Sequence, residues 1–345
     1  MKKILFSVFA LSNLFCFSQD VHFSQVYNNP LHVNPANVGG FTGYERIVLN
    51  YRSQWTSAGS PFNTLGFSYD MPMFQKDGSK THLGLGISVF NDRAGSTKMG
   101  TTAPALTLGA IVPIASHSTL TAAIQTGYTM RSINMSSATW ASQFDGKDYD
   151  PTLPSLETAA SSSAGAFDMG FGLRYSYDRK KESFQGFKFS KFDIGGAMYH
   201  LTKPKFNFLA GNDKLNIKYV VQTSARFEIK ESNISLLPYF VMFLQAPYRE
   251  YNGGIMARFK LSDGTKITGL LTESALSFGL HYRADDALVP QVMFEYGAWG
   301  IAVSYDLTTS NYRQINNLAG GFEIALKWQD LKGAIFKKRV NATVY

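Results

Sequence analysis

The chain has 345 residues, a formal net charge of +8, 17% charged residues and 45% hydrophobic residues. Phe and Tyr number 27 and 18, which is enough aromatic surface to exclude a disordered chain. The single Cys excludes an intrachain disulfide framework. The positive charge is dispersed, since no run of five or more like charges occurs, and this excludes a nucleic-acid-binding arm.

The first 18 residues have the pattern of a secretory signal peptide. Two lysines precede an apolar stretch that ends at Phe17, and the small Ser18 suits cleavage. The apolar stretch is shorter than the roughly 20 residues that a membrane-spanning helix needs. A lipoprotein signal that uses Cys16 is the alternative, and the bulky Phe15 disfavours it. We therefore predict an exported protein with a signal peptide at residues 1–18.

Bulky apolar residues alternate with small or polar residues through most of the remaining chain. Between Gly321 and Trp328, for example, every second residue from Phe322 onward is bulky and apolar. This period of two is typical of β-strands. Most of the segments run for 9 to 12 residues, which matches a tilted transmembrane strand, whereas strands of globular proteins average about 5–6 residues. The fourteen segments lie near residues 44–55, 63–71, 81–92, 101–112, 118–131, 167–178, 187–200, 217–230, 234–245, 251–261, 274–283, 287–296, 299–307 and 319–328.

The alternation predicts an all-β protein. We expect one closed, antiparallel outer-membrane β-barrel of about 14 strands over residues 44–328, with both of its chain ends on the periplasmic side. No segment after the signal contains 18 consecutive apolar residues, so helical membrane spans are excluded. A soluble β-sandwich is the alternative fold. It is disfavoured because the second face of the strands is rich in Gly, Ser, Arg, Gln and Glu, which suits a polar lumen.

Charged residues on that second face are expected to point into the lumen. Ion pairs there usually brace the barrel wall, because an unpaired charge in a narrow lumen is costly. A lumen that binds a solute or a peptide is the alternative. Aromatic residues near the strand ends are expected in interfacial girdles. The inward set comprises Arg46, Arg52, Arg174, Arg226, Glu228, His281, Arg283, Glu295 and Glu323. The girdle set comprises Tyr51, Trp55, Tyr69, Phe90, Tyr177, Tyr199, Tyr282, Tyr296, Tyr305 and Trp328.

Two terminal segments lack the alternation. Residues 19–43 contain two prolines and four asparagines, which favour turns. We predict that this irregular segment folds at the barrel mouth or into the lumen, where protein groups can satisfy its backbone. A 14-strand barrel has room for a channel, and we expect this segment and large side chains to fill much of it. Residues 329–345 form a predicted C-terminal tail.

An insertion of 35 residues, Ser132–Ala166, is rich in Ser, Asp and Pro. A loop this long usually has a function, and on a barrel it would be extracellular. Its apolar residues are of the types enriched at interface cores, which makes them candidates for partner binding. Anchoring of the loop over the barrel mouth explains them equally well. These candidates are Trp140, Phe144, Tyr149 and Leu153.

Motifs for catalysis and cofactor binding are missing. The sequence has no GK[ST] phosphate loop, no H-E-x-x-H, no G-x-S-x-G and no C-x-x-C, and its six His residues show no metal-pair spacing. Asp145–Asp150 is rich in oxygen ligands, but it lacks the spacing and the bidentate Glu of an EF-hand, so we expect a solvated turn. We predict a protein that is not an enzyme and has no cofactor. A barrel hydrolase is the alternative, because its catalytic residues could come from several strands and leave no linear motif.

Residues around the first two strands occur in a distinctive order. They are Phe23, Ser24, Gln25, Asn34, Pro35, Ala36, Gly39, Tyr51, Arg52, Gln54, Trp55 and Asp70. Shorter fragments continue the pattern, among them Asn91–Gly95, Asp193–Ala197 and Gly320–Ile324. With these residues the chain resembles the PorP/SprF family of the type IX secretion system and gliding machinery of Bacteroidota. The resemblance spans nearly the whole chain after the signal.

The resemblance implies an outer-membrane component of type IX secretion. Such a protein is expected to bind, export or anchor a partner surface protein, for instance a large adhesin that is read through its C-terminal domain. Periplasmic motor or ring components of the system and outer-membrane lipid are the other implied partners. A general porin or solute channel of the outer membrane is the alternative that the barrel pattern leaves open.

Overall fold

The computed structural model describes residues 20, 22–55, 61–74, 81–95, 99–134, 140–156, 163–179, 188–206, 213–229, 231–262, 272–310 and 319–330. The predicted signal peptide lies outside the described residues. All of the predicted tail after Asp330 lies outside them as well.

Fourteen strands form one closed antiparallel barrel, which confirms the predicted fold class. The chain runs as a meander, and the first strand closes the barrel by pairing with the last, with Glu45 opposite Asp330. The barrel strands are β1 (Glu45–Gln54), β2 (Phe62–Met73), β3 (His82–Ala94), β4 (Met99–Ala115), β5 (Ser118–Ser132), β6 (Ser163–Asp178), β7 (Lys188–Tyr199), β10 (Lys218–Glu228), β11 (Ile234–Gln245), β12 (Tyr248–Ser262), β13 (Ser274–Arg283), β14 (Ala287–Tyr296), β15 (Trp299–Thr308) and β16 (Ala319–Asp330). A separate two-stranded pair, β8 (Lys205–Phe206) and β9 (Asp213–Lys214), lies between β7 and β10.

The two ends of the barrel differ. β1 begins and β16 ends at the same end, which we call the terminal end. The opposite end, called the loop end, carries the long connection over residues 133–162 between β5 and β6. This connection is shorter than the predicted insertion, because β6 begins at Ser163 and its first four residues pair with Thr129–Ser132. Those four residues, Ser-Ala-Gly-Ala, are small and carry little strand signal of their own.

The outer wall is apolar, as β15 illustrates. Its residues alternate strictly between exposed and buried, with Ile301 and Val303 exposed on the outside and Ala302 and Ser304 buried inside. Bulky apolar side chains exposed on the outer face are what a lipid-facing surface requires. In the part of the chain that the structure describes, no helix has the length and apolar character needed to cross a membrane.

Two aromatics that were assigned to the interfacial girdles lie inside the barrel instead. The ring of Phe90 stands 6.3 Å from that of His32, and the Tyr199 hydroxyl donates to the carbonyl of Leu31 at 3.3 Å. The girdle assignment is therefore wrong for Phe90 and Tyr199. Both belong to the face whose other members are small or polar, and they fill space next to the segment that enters the lumen.

Candidate functional site

The barrel lumen is occupied by residues 22–43, called the lumenal segment below. It consists of a 3₁₀ turn, one α-helical turn that begins at Pro30, and a second 3₁₀ turn that begins at Pro35. Each proline suits a first helical position, where its missing N–H is not needed. Asn34 caps the last turn by accepting a hydrogen bond from the Ala36 N–H at 2.8 Å. The predicted irregular structure is confirmed, and local turn chemistry explains it.

Apolar side chains of the lumenal segment form small hydrophobic cores with the inner wall. Leu31, Ala36 and Val38 are fully buried and form one cluster with Ala123 of β5. A second cluster lies on the other side of the segment and comprises Val26, Val33, Ala197, Val220, Tyr239, Val241 and Phe243. Burial of this kind stabilises the segment in the lumen, because it removes apolar surface from water.

A buried charge network fixes the beginning of the segment near the loop end. The Asp306 carboxylate accepts hydrogen bonds from Arg52 at 2.8 Å, Arg283 at 2.7 Å and the Ser24 hydroxyl at 2.9 Å. The Glu323 carboxylate accepts the Ser24 N–H at 2.6 Å. All five residues are at most 2% exposed. We call them, together with Gln25, the Asp306 network.

Gln25 completes this network. Its N–H donates to Glu323 at 3.0 Å, and its side-chain amide donates to Ser304 Oγ and to the Glu323 carbonyl, each at 3.0 Å. The Asn28 amide donates to the Gln25 side-chain oxygen at 2.9 Å. The carboxylates of the barrel wall are thus matched both to arginines and to backbone donors of the segment, which makes these charges tolerable inside the protein.

A second carboxylate holds the end of the segment near the terminal end. Arg46 donates two hydrogen bonds to Asp70, at 2.9 and 2.8 Å, in the bidentate arrangement that arginine favours. The Gly39 N–H donates to the same carboxylate at 2.8 Å. Gly39 has a φ of +64°, which glycine adopts without strain, and the chain turns there toward β1. The Tyr44 N–H then donates to the Asp330 carbonyl at 2.8 Å.

Glycines in the barrel wall make room for the segment. A Cβ at Gly84 would lie 2.8 Å from the Val38 carbonyl oxygen, and one at Gly109 would lie 2.6 Å from a Val38 methyl group. A Cβ at Gly172 would overlap the side-chain oxygen of Asn34. The Gly-rich inner face of these strands therefore permits a close backbone approach.

His200 lies between two carboxylates, one of them near the start of the chain, close to the loop end of the barrel. The two ring nitrogens of His200 lie 2.6 Å from Asp20 and 2.6 Å from Asp168, and Lys218 Nζ lies 3.4 Å from Asp20. Burial by itself would lower the pKa of His200, but the two carboxylates raise it to about 9. His200 is therefore a cation at neutral pH. Sequence reasoning noted no role for it, because its partners are distant in the chain.

The structure brings most of the family-motif residues together in the lumen. Three of the twelve are outside these lumenal contacts. Tyr51 faces outward and donates to Asn63 at 3.1 Å, and the Trp55 ring packs edge-on against Phe62 at 5.0 Å. Gln54 is the last residue of β1. The motif residues that line or form the lumenal contacts are Phe23, Ser24, Gln25, Asn34, Pro35, Ala36, Gly39, Arg52 and Asp70.

His281 and Arg283 share the inward face of β13 and Glu295 faces inward from β14, as expected, but Glu295 pairs with neither of them. His281 lies 2.7 Å from the Gln291 side chain, whereas Glu295 lies 2.5 Å from Arg258. The reason is the register, which places Arg283 opposite Ala287 at the loop end while Glu295 is near the terminal end of β14. Two residues on neighbouring strands can pair only if they also lie at a similar depth along the barrel axis.

The candidate loop residues form a small structured unit over residues 140–156. Gln143 is buried at its centre and contacts the backbone of Trp140 at 3.3 Å and of Leu153 at 3.0 Å. Phe144 and Tyr149 form an antiparallel bridge, and their side chains are 56% and 46% exposed. Sequence reasoning did not single out Gln143, because only apolar residues of this loop were candidates for partner binding.

The acidic turn of this loop is stabilised by hydrogen bonds from its own backbone. The Asp145 carboxylate accepts hydrogen bonds from the N–H groups of Lys147 and Asp148, both at 2.8 Å. Within the described residues, no group of three or more His, Cys, Asp or Glu side chains has an arrangement that would hold a metal ion.

Comparison with known proteins gives a family match. The model described as "Type IX secretion system membrane protein PorP/SprF" matches residues 15–328. No curated protein matches the chain. Among solved structures, the toluene transporter TbuX of Ralstonia pickettii is similar at 10% identity, with a TM-score of 0.49 over 88% of this chain and 94% of that chain. A FadL homologue of Pseudomonas aeruginosa is similar at 12% identity, with a TM-score of 0.48 over the same two shares, 88% and 94%.

We predict that Asp306→Asn destabilises the barrel. The substitution leaves Arg52 and Arg283 buried with less countercharge, and breaking such a buried pair costs about 3–5 kcal/mol. Urea unfolding of the purified protein in detergent measures the effect. Asp285→Asn, in an exposed turn, is the control and should leave the unfolding free energy unchanged. Equal stability of the two variants would contradict a structural role for the Asp306 network.

We also predict that His200 makes stability depend on pH. Its pKa is raised above the ordinary value of 6.5, so its contribution is complete below about pH 6.5 and is lost as the pH rises through about 9. A shift of this size corresponds to about 3 kcal/mol. The difference in unfolding free energy between the wild type and His200→Gln should therefore shrink from pH 6 to pH 10. His117→Gln is the control, and a difference independent of pH would refute the prediction.

Proposed function

Because this chain belongs to the PorP/SprF family of type IX secretion system membrane proteins, we propose that it is an occluded outer-membrane barrel that holds an exported surface protein, such as an adhesin, at the cell surface. The observation that carries this proposal is the filled lumen. A binding or anchoring role needs a stable barrel with exposed docking surfaces, whereas a general porin needs a water-filled passage.

The contacts of the lumenal segment support occlusion. They reach opposite sides of the barrel: Phe23 approaches Gly66 of β2, Asn34 donates to carbonyls of β6 and β7, and the Asp306 network joins β1, β13, β15 and β16. Displacing the segment would expose these charges and both hydrophobic clusters. Permeation through the wild-type barrel is therefore disfavoured in this proposal.

The lengths of the connections support an orientation. In outer-membrane barrels the periplasmic turns are short and the extracellular loops are longer. Connections at the loop end include residues 133–162 and 200–217, while the connections at the terminal end include the two-residue turns 116–117 and 297–298. We therefore place the terminal end in the periplasm, facing the periplasmic components of the secretion system, and the loop end outside the cell.

The structured unit at residues 140–156 is our candidate docking surface for the exported partner. Phe144, Tyr149 and Leu156 present exposed apolar side chains, with Leu156 at 80% exposure, on an otherwise polar loop. Gln143 holds the unit together from within. Aromatic side chains on a preformed loop are suited to the central contacts of an interface with the partner's C-terminal domain. We assign no catalytic activity to the protein.

We predict that the purified wild-type protein shows no stable, large conductance in planar bilayers. A variant that lacks residues 22–40 should conduct, because a 14-strand barrel without its contents leaves an open lumen. Asp70→Asn combined with Asp306→Asn loosens the segment without deleting it, and should give intermittent openings. A wild-type conductance equal to that of the deletion variant would favour the porin alternative.

We predict that the docking loop is required for retention of the partner and not for the barrel. Replacing residues 136–161 by a short Gly-Ser linker leaves β5 and β6 intact, and outer-membrane abundance should stay normal while the partner is lost from the surface. Phe144→Ser with Tyr149→Ser should weaken retention in the same direction, whereas Asp148→Asn is the matched control. Normal surface levels of every type IX cargo in a strain without this protein would refute the proposal as a whole.

A further inference from the structure

A large cavity opens at the terminal end of the barrel. Its volume is about 920 Å³, and we call it the vestibule. The lumenal segment forms one side of it with Tyr27, Asn37 and Gly40, and the strands β10, β11 and β12 contribute much of the opposite side. Tyr27 is 42% exposed although it lies within the barrel, so its ring borders this open space. The volume is within the range of about 300–1,000 Å³ that ligand sites occupy.

The vestibule has an excess of positive charge. Seven Lys or Arg residues and five Asp or Glu residues line it. Some of this charge is neutralised. Arg46 is paired with Asp70, which does not line the cavity, and among the lining residues Arg258 pairs with Glu295 and Lys191 with Asp193. The Asp306 network does not contribute to this lining.

Three cations of the vestibule have incomplete pairing. Among the described residues, neither Arg226 nor Lys327 has a carboxylate within 4.0 Å of its charged group, and the Nε of Arg226 is buried with no hydrogen-bond partner. Arg174 is 93% buried, its Nε also has no hydrogen-bond partner, and it reaches Asp193 only at 4.0 Å. Glu295, which is paired with Arg258, is also the carboxylate whose charge acts on Arg226 and Lys327, so three cations share one countercharge. Enclosed cations with too little countercharge are costly, so this wall can accept a further anionic group.

The rest of the lining favours a peptide over a compact polyanion. Glu228 and Glu295 lie among the cations and would repel a ligand that carries only negative charge. The Tyr27 ring offers an apolar contact between the charged groups. A chain with a few carboxylates spaced by neutral residues satisfies all of these features together.

We propose that the vestibule binds an acidic peptide segment that enters from the terminal end, with its carboxylates paired to Arg174, Arg226 and Lys327. This inference goes beyond the docking loop, which lies at the opposite end of the barrel. Binding in the vestibule and retention of a partner by the loop can therefore succeed or fail separately.

The test uses the purified full-length protein in detergent and a fluorescent eight-residue peptide that carries three Glu residues in a Gly-Ser background. We expect saturable binding that weakens at high salt, because the contacts are electrostatic. The same peptide with Gln in place of Glu should bind at least about tenfold more weakly. Inorganic phosphate, the second probe, should compete poorly.

Variants locate the site. Arg226→Gln and Lys327→Gln should each reduce the affinity for the acidic peptide about tenfold, and Glu228→Gln should increase it because a repelling charge is removed. Arg249→Gln, an exposed cation at the loop end, is the matched control and should bind like the wild type. A heat-dependent shift in gel mobility verifies that each variant is a folded barrel. Equal binding of the Glu and Gln peptides, unchanged binding by Arg226→Gln with Lys327→Gln, or phosphate competition as strong as that of the peptide would each overturn the proposal.

Discussion

The need to neutralise buried charge inside the barrel determines how this protein is organised. Arg52 and Arg283 point into the lumen, which is too wide for the side chains of the barrel wall alone to fill. Asp306 lies between them and is 2% exposed. The lumenal segment completes the hydrogen bonds of these buried groups: the Ser24 hydroxyl donates to Asp306 and accepts from Arg283, and the His22 carbonyl accepts from Arg52. The lumenal segment is therefore part of the charge network as well as an apolar filling.

Two carboxylates, Asp306 and Asp70, hold the two ends of the lumenal segment and so set its direction through the barrel. Asp70 near the terminal end binds Arg46 and the Gly39 N–H, while Asp306 near the loop end binds Arg52, Arg283 and Ser24. The segment between the two anchors crosses the barrel with its turns packed on glycines. It separates the vestibule from a smaller cavity of about 100 Å³ beside Asp20 and His200. A barrel divided in this way presents two distinct surfaces, one at each end.

This division suits a protein that acts between two compartments without letting solutes pass. The vestibule carries unpaired cations, and the loop at the opposite end carries exposed aromatic residues on a preformed unit. The family match covers the barrel as a whole, and the recognition roles of the two surfaces are our proposals.

The sequence by itself determined the barrel and much of its contents. The period of two is a local property, so it located all fourteen strands, and the prolines and asparagines before β1 identified an irregular segment. Only the tertiary structure decided which groups meet. Ser24 and Asp306 are 282 positions apart, and the contacts of Phe90 with His32 and of Tyr199 with Leu31 also join distant parts of the chain. Closure of the barrel and the depth of each residue along it bring such groups together, and neither is encoded in the spacing of neighbouring residues. The same holds for His200 between Asp20 and Asp168 and for the cations of the vestibule.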